Sequence, residues 1–161
     1  MLNLHRITWP DGHTYDGQAM GLLEEDPVRP HIPKLDRVIK NREVLYLLSN
    51  SGKINAIVCI SINDKQAISE EDLSSWRYGE KKDVENMFAH LYTVWSYSKG
   101  AGRDIAFAAI EYIKYTYPNV KRILTLSPKT EMAKKFHLKN GAIELQVNED
   151  TVNFEYKIKE I

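Results

Sequence analysis

Two short stretches combine residue types that can do chemistry. In the first, Ser98-Lys99-Gly100-Ala101-Gly102-Arg103, two glycines and a small residue sit between an apolar run and a helical pattern. Successive backbone N–H groups and the positive end of the helix can there face an anion such as a pyrophosphate, with Lys99 and Arg103 adding charge. No Gly-Lys-Ser/Thr follows and the full GxGxxG spacing is absent, so taken alone the loop is also an ordinary strand-to-helix turn. In the second, FHLKNGA (136–142), His137 stands behind a phenylalanine and four residues ahead of a glycine. An imidazole titrates near neutrality and so can move protons; on local grounds alone His137 reads as an idle group on a helix surface. The remaining histidines, His5, His13, His31 and His90, show no metal-ligand spacing, and no metal is expected. Cys59, the single cysteine, permits neither an internal disulfide nor a multi-cysteine metal site and fits a reducing compartment.

These residues need a scaffold, and the hydrophobic pattern supplies one. EVLYLLSNSGKINAIVCISI (43–62) is two β-branched-rich runs around Ser49-Asn50-Ser51-Gly52, a hairpin. MFAHLYTVWSY (87–97) reads as a strand feeding the glycine loop, and RDIAFAAIEYIKYTY (103–117) as a helix with Ile105, Ala109, Tyr112, Ile113 and Thr116 on one stripe before Pro118. KRILTL follows as a strand. TEMAKKFHLKN is a helix with Thr130 as N-cap and Gly141 as its stop, and AIELQV and VNFEYKI are strands split by Asn148-Glu149-Asp150. Near the start, RITW (6–9) predicts a strand stopped by Pro10-Asp11-Gly12, DGQAMGLLEED (16–26) a helix weakened by Gly17 and Gly21, and LDRVIKN a short helix after the proline-rich DPVRPHIP. The polar stretch from Asn63 to Asp83, with Ser69 and Asp72 spaced for a capped turn, reads as a surface insertion. The expected architecture is α/β (α+β): a mixed sheet with at least two helices packed on it, in one domain spanning 1–161.

Bulk properties narrow the function classes. The chain has 161 residues, 43% hydrophobic and 27% charged, with 22 basic residues against 22 acidic. At that size folding buries roughly two-thirds of the unfolded surface, enough for a core without staples. Zero formal net charge argues against a nucleic-acid partner while leaving room for a local patch that holds a phosphorylated ligand. No stretch reaches the roughly 18 apolar residues of a membrane span, and MLNLHRITWPDG lacks the apolar core of a signal peptide, so no membrane partner and a cytoplasmic location are expected.

The order strand, SKGAGR, helix, strand, then a helix bearing A-x-x-F-H-x-x-x-G (Ala133 to Gly141) resembles the GNAT acyltransferase fold, a mixed, mostly antiparallel sheet flanked by helices. The resemblance implies coenzyme A held by its pyrophosphate on Ser98, Lys99, Gly100, Ala101, Gly102 and Arg103. Gly100 and Gly102 match the family's [QR]xxGx[GA] loop, while Tyr97 stands where Gln or Arg is usual and His137 where acetyltransferases commonly carry tyrosine. Over nearly its whole length the chain is similar to the catalytic domain of the malonyl-CoA decarboxylase family: RITW, EEDPVRP, the hairpin around SNSG, LYTV, TYPNV, TLSP, FHLKNGA and VNFEY occur in that family's order. The large N-terminal helical domain of that family has no counterpart in these residues, and the hairpin turn is trimmed.

What the resemblance implies is a malonyl-CoA or related acyl-CoA decarboxylase acting through a serine and a histidine. Losing CO2 from a malonyl thioester leaves electrons on an enolate whose sink is the thioester carbonyl. The site must therefore hold the carboxylate out of line, donate hydrogen bonds to the oxyanion and deliver a proton to carbon. By similarity His137 is the proton donor or carboxylate-orienting group. The serine is Ser51 when the following glycine is matched to Gly52, or Ser49 when the next strand is counted back without a gap; on an extended chain the two face opposite ways. A family glutamate ahead of the proline-containing loop corresponds to Glu24 or Glu25, and a tyrosine near the end to Tyr156. Two other readings stand: a GNAT N-acetyltransferase moving an acyl group from CoA to an amine, with Glu24, Glu25 or His137 as base, and a non-enzymatic CoA-fold module, suggested by Tyr97 and the trimmed hairpin. The partner is a small-molecule acyl-CoA; a homo-oligomer is left open.

Overall fold

The computed structural model describes residues 3–8, 12, 14–39, 41–74 and 86–158. Trp9, Pro10 and Asp11 of the expected first strand and turn, Lys40, and residues 75–83 of the expected insertion lie outside them. Among the described residues, eight strands form one sheet: β1 (Asn3–Arg6), β2 (Arg42–Leu48), β3 (Ile54–Asn63), β4 (Met87–Ser96), β5 (Val120–Thr125), β6 (Ser127–Pro128), β7 (Ile143–Val147) and β8 (Thr151–Tyr156). Their order is β1-β2-β3-β4-β5-β8-β6, with β7 also on β8. Three α-helices of the described residues accompany it: α1 (Asp16–Leu22), α2 (Ala101–Thr116) and α3 (Glu131–Lys139). The first strand begins three residues earlier than RITW predicts, because residues 3 to 6 find partners on β2. LDRVIKN makes only a single 3-10 turn at Leu35–Arg37.

All pairings are antiparallel except β4 with β5, since α2 carries the chain back to the starting end of β4 and a parallel neighbour needs such a crossover. The buried residues of α2 are Ala101, Gly102, Ile105, Ala106, Ala109, Ile110 and Ile113, a stripe at helical spacing. They pack on Leu45, Val58, Ile60, Ala89, Leu91, Ile123 and Phe154 of one sheet face. Tyr112 and Thr116 are not buried; the Tyr112 and Tyr117 hydroxyls instead donate to Glu43 at 2.8 and 2.6 Å. The opposite face packs Val44, Tyr46, Ile57, Cys59, Tyr92, Trp95 and Leu126 against Ala19, Leu23, Ala67 and Leu73.

Where the polar composition of 63–83 suggested a surface insertion, its described part is tied to this second face. Ala67 and Leu73 are fully buried, the Asn153 amide donates to Ala67 O at 2.9 Å, and the Thr151 hydroxyl donates to Ile68 O at 2.7 Å. The capped turn is present: Ile68 N–H donates to an Asp72 carboxylate oxygen at 3.0 Å.

One irregularity positions everything that follows. Cys59 pairs with Thr93 and Ile60 with Leu91, so Tyr92 is a bulge in β4. On its other edge β4 pairs with β5 only from Met87 to Leu91, the last rung being Leu126 N–H to Leu91 O at 3.1 Å. Beyond it β4 continues to Ser96 on β3 alone. The two parallel strands therefore fork, with the bulge at the apex and the glycine loop at the open end.

Candidate functional site

The glycine loop is formed as its composition requires. Gly100 adopts φ +83° at the N-cap of α2, a left-handed conformation that favours glycine, and Ala101 N–H bonds back to Ser98 O at 3.2 Å. Lys99 and Arg103 are exposed and Ala101 and Gly102 buried. A Cβ added to Gly102 would lie 3.2 Å from the Phe136 ring. That absence of a side chain lets α3 approach α2, so the FH segment is seated directly against the glycine-loop helix. Thr130 caps α3 as expected, its hydroxyl accepting from Ala133 N–H at 3.2 Å, and Gly141 ends it at φ +95°.

With Phe136 on Gly102, the next residue turns toward the sheet. His137 is 6% exposed, between Phe136, Phe154 and Tyr156 at ring separations of 5.1, 5.3 and 5.7 Å. Its Nδ1 lies 2.7 Å from the Tyr156 hydroxyl. Burial pushes the imidazole down to about 4 and lifts the Tyr156 phenol above its ordinary value, so at neutral pH the ring is uncharged and the phenol keeps its proton. The near-neutral titration expected of an exposed histidine is thus replaced by a neutral one. In the tautomer that carries hydrogen on Nε2, the phenol donates this bond to Nδ1. The two residues that the resemblance placed separately, His137 and Tyr156, are one hydrogen-bonded unit.

The serines lie elsewhere. Ser49 and Ser51 are at the β2–β3 turn, where Gly52 takes φ +84° against the Tyr15 hydroxyl. Their hydroxyls meet each other at 2.8 Å: the chain is turning rather than extended, so alternation does not send them to opposite faces. The structure joins Ser51 to Ser49 and His137 to Tyr156, and does not join the serine to the histidine. The turn nevertheless sits at the open end of the fork, since Ala56 near the start of β3 pairs with Ser96 at the end of β4.

The two glutamates separate clearly. Glu24 is exposed and paired with Lys34 at 2.8 Å. Glu25 accepts from the Tyr97 hydroxyl at 2.9 Å, and that hydroxyl accepts from the Trp95 indole N–H at 2.9 Å, so Glu25 and Tyr97 stand beside the free end of β4 while Glu24 does not.

Three charged residues in and just after the proline-rich segment, Asp26, Arg29 and Arg37, are buried at the apex. The Arg37 side chain is fully buried, donating to Asp26 Oδ2 at 2.6 Å and to Arg29 O at 2.5 Å. The other oxygen of Asp26 accepts from Val28 and Arg29 N–H, both at 2.8 Å. With the loop so braced, the Arg29 guanidinium enters the fork: Nη1 donates to Tyr92 O, Nη2 donates to Leu126 O at 2.8 Å, and Nε is 3.1 Å from Glu70. Burial holds this cation below its ordinary value, against the pull of Glu70 and Asp26. No local signal marks Arg29; the closest hint is that three prolines fix the loop that carries it.

No protein-family profile matches the chain, and neither does any curated protein. Solved structures do. Malonyl-CoA decarboxylase from Agrobacterium vitis aligns with 99% of this chain and 61% of its own at a TM-score of 0.76 and 13% identity. The enzyme from Rhodopseudomonas palustris aligns with 98% and 60% at 0.71 and 14%. Arabidopsis thaliana NAA60 in complex with acetyl-CoA aligns with 98% of this chain and 100% of its own at 0.61 and 16%. The chain thus spans about three-fifths of the decarboxylase chains. At these identities the likeness defines the fold, which is of the GNAT type, as the sequence order predicted.

Proposed function

We propose that the protein is an acyl-CoA decarboxylase of the GNAT fold, converting malonyl-CoA or a close relative to acetyl-CoA and CO2. The observation that carries this reading is the buried, neutral His137 held by Tyr156 and seated through Phe136 on the glycine-loop helix. CoA lies with its pyrophosphate at residues 98–103 and its pantetheine arm along the free edge of β4, the acyl group pointing to the apex of the fork. The bond between the α-carbon and the carboxylate breaks, CO2 leaves, and the electron pair spreads onto the thioester oxygen as an enolate. His137 Nε2–H hydrogen-bonds that enolate and transfers its proton to the α-carbon. The Tyr156 proton passes to Nδ1, and the phenolate recovers a proton from solvent. A neutral donor suits a strongly basic carbanion, and no imidazolium is required.

The likeness to malonyl-CoA decarboxylases at TM-scores of 0.76 and 0.71 supports this choice. So does the apex itself, where the buried Arg29 guanidinium spans the two strands and offers a cation to an acyl carboxylate. Ser51 with Ser49 flanks the opening of the fork and is assigned to the pantetheine arm; Glu25 and Tyr97 line the same opening. The test is to incubate the protein with malonyl-CoA and no amine: acetyl-CoA and CO2 should appear in equal amounts. Free CoA appearing only when an amine is added would instead identify an acyltransferase.

A further inference from the structure

Arg29 is a buried cation whose bonding leaves one side for an anion. Two of its nitrogens are spent on Tyr92 O and Leu126 O, the carbonyls of the two strands where they part. These bonds fix the guanidinium plane across the apex. Its backbone is locked as well, N–H to Asp26 and C=O to Arg37. The remaining Nε edge meets Glu70, which belongs to a different kind of surroundings: its side chain is 40% exposed, that of Arg29 4%, and its carboxylate also holds the exposed His31 ring at 2.8 and 3.0 Å. A fixed, desolvated cation thus faces a carboxylate that solvent reaches and that the exposed His31 ring shares.

We infer that Arg29 and Glu70 form a carboxylate-selecting gate at the apex of the fork, where Arg29 takes the terminal carboxylate of a dicarboxylic acyl thioester and Glu70 holds that place until it arrives. Charge and geometry both favour exchange: the buried cation stays paired throughout, and one carboxylate replaces another on the same edge. A carboxylate paired with a cation is harder to decarboxylate than a free one, because the pairing stabilises the charged ground state more than a transition state that is losing that charge, so the gate serves recognition of the substrate and does not speed the chemical step. The inference rests on the reading that an acyl-CoA occupies the fork, but not on what becomes of the acyl group.

Two inert thioethers separate these claims: S-(2-carboxyethyl)-CoA, whose carboxylate sits where that of a malonyl group would, and S-propyl-CoA, its uncharged counterpart. Binding of both to the full chain is measured by calorimetry for wild type, Glu70→Gln and Arg29→Met. Removing the competing carboxylate in Glu70→Gln should tighten the carboxyethyl probe about tenfold and leave the propyl probe within about twofold. Arg29→Met should abolish the preference for the charged probe; because that variant also cuts two strand contacts, the more exposed Glu70→Gln keeps the test decisive if Arg29→Met does not fold. Equal, unchanged binding of both probes in Glu70→Gln overturns the gate while leaving a CoA site in place. Failure of both probes to bind wild type overturns the CoA reading and the gate with it.

Discussion

Acid should destabilise this protein through two buried histidines. Burial lowers both His90 and His137 from the ordinary 6.5 to about 4. For His90 the geometry shows why: Nε2 accepts from Ala67 N–H at 2.9 Å and Nδ1 lies 2.8 Å from the Asn63 side-chain oxygen, so a second proton would set N–H against N–H. Above pH 6.5 each ring is neutral in the folded and unfolded chain. As pH falls from 6.5 toward 4 the unfolded chain takes up both protons and the folded one does not, so stability drops across that window. A shift of 6.5 − 4, about 2.5 units, at about 1.4 kcal/mol per unit, gives about 3.5 kcal/mol for each ring. Both together, about 7 kcal/mol, exceed the lower end of the roughly 5–15 kcal/mol that holds a domain folded. Urea unfolding at half-unit steps across the window, wild type against His137→Gln, isolates one ring from the carboxylates that titrate nearby. The variant should start less stable at neutral pH, having lost the Tyr156 bond, yet its stability should fall less steeply by about 1.4 kcal/mol per pH unit. Parallel curves would refute the buried, neutral state of His137.

Three further outcomes follow from the same geometry. Gly102→Ala places a methyl 3.2 Å from the Phe136 ring, so α3 must shift by a few tenths of an ångström; a loss of about 1–3 kcal/mol in denaturant unfolding and a larger proportional loss of turnover are expected. Asp26→Asn leaves the fully buried Arg37 cation without its counter-charge and should cost about 3–5 kcal/mol, read as a lowered unfolding midpoint. Because His137 acts uncharged with its pKa near 4, turnover should stay level from about pH 5.5 to 8.5, where an imidazolium acid would lose activity as pH rises through 6.5.

The parts of the molecule that were legible in the sequence are those ruled by local periodicity and turn chemistry. The β2–β3 hairpin, the strand before the glycine loop, α2 ended by Pro118, and α3 between Thr130 and Gly141 all stand where β-branched runs, helical stripes and caps place them. The polar core was not legible, because a charged or amide side chain in a loop gives the same local signal whether solvated or buried. Arg37, Asp26, His90 and Asn153 become interior only through partners 11 to 86 residues away in sequence. The glycine loop predicts backbone contact with a pyrophosphate at Gly102 but not the second consequence of the missing side chain, which is the room it leaves for Phe136. Alternation along an extended chain would set Ser49 and Ser51 on opposite faces, whereas the backbone turns there and brings their hydroxyls together. His137 was found through its motif, but the neutral state and the bond to Tyr156 required the sheet that brings β8 beneath α3.

Carboxyl-labelled malonyl-CoA offers the most direct measurement: single-turnover release of labelled CO2, without any amine, by wild type and by a folded His137→Ala variant. Wild type should release the label stoichiometrically with acetyl-CoA, and the variant should be slower by about 10²-fold or more. Equal rates in the two proteins, or no label released by wild type, would contradict a decarboxylase built on His137 and Tyr156.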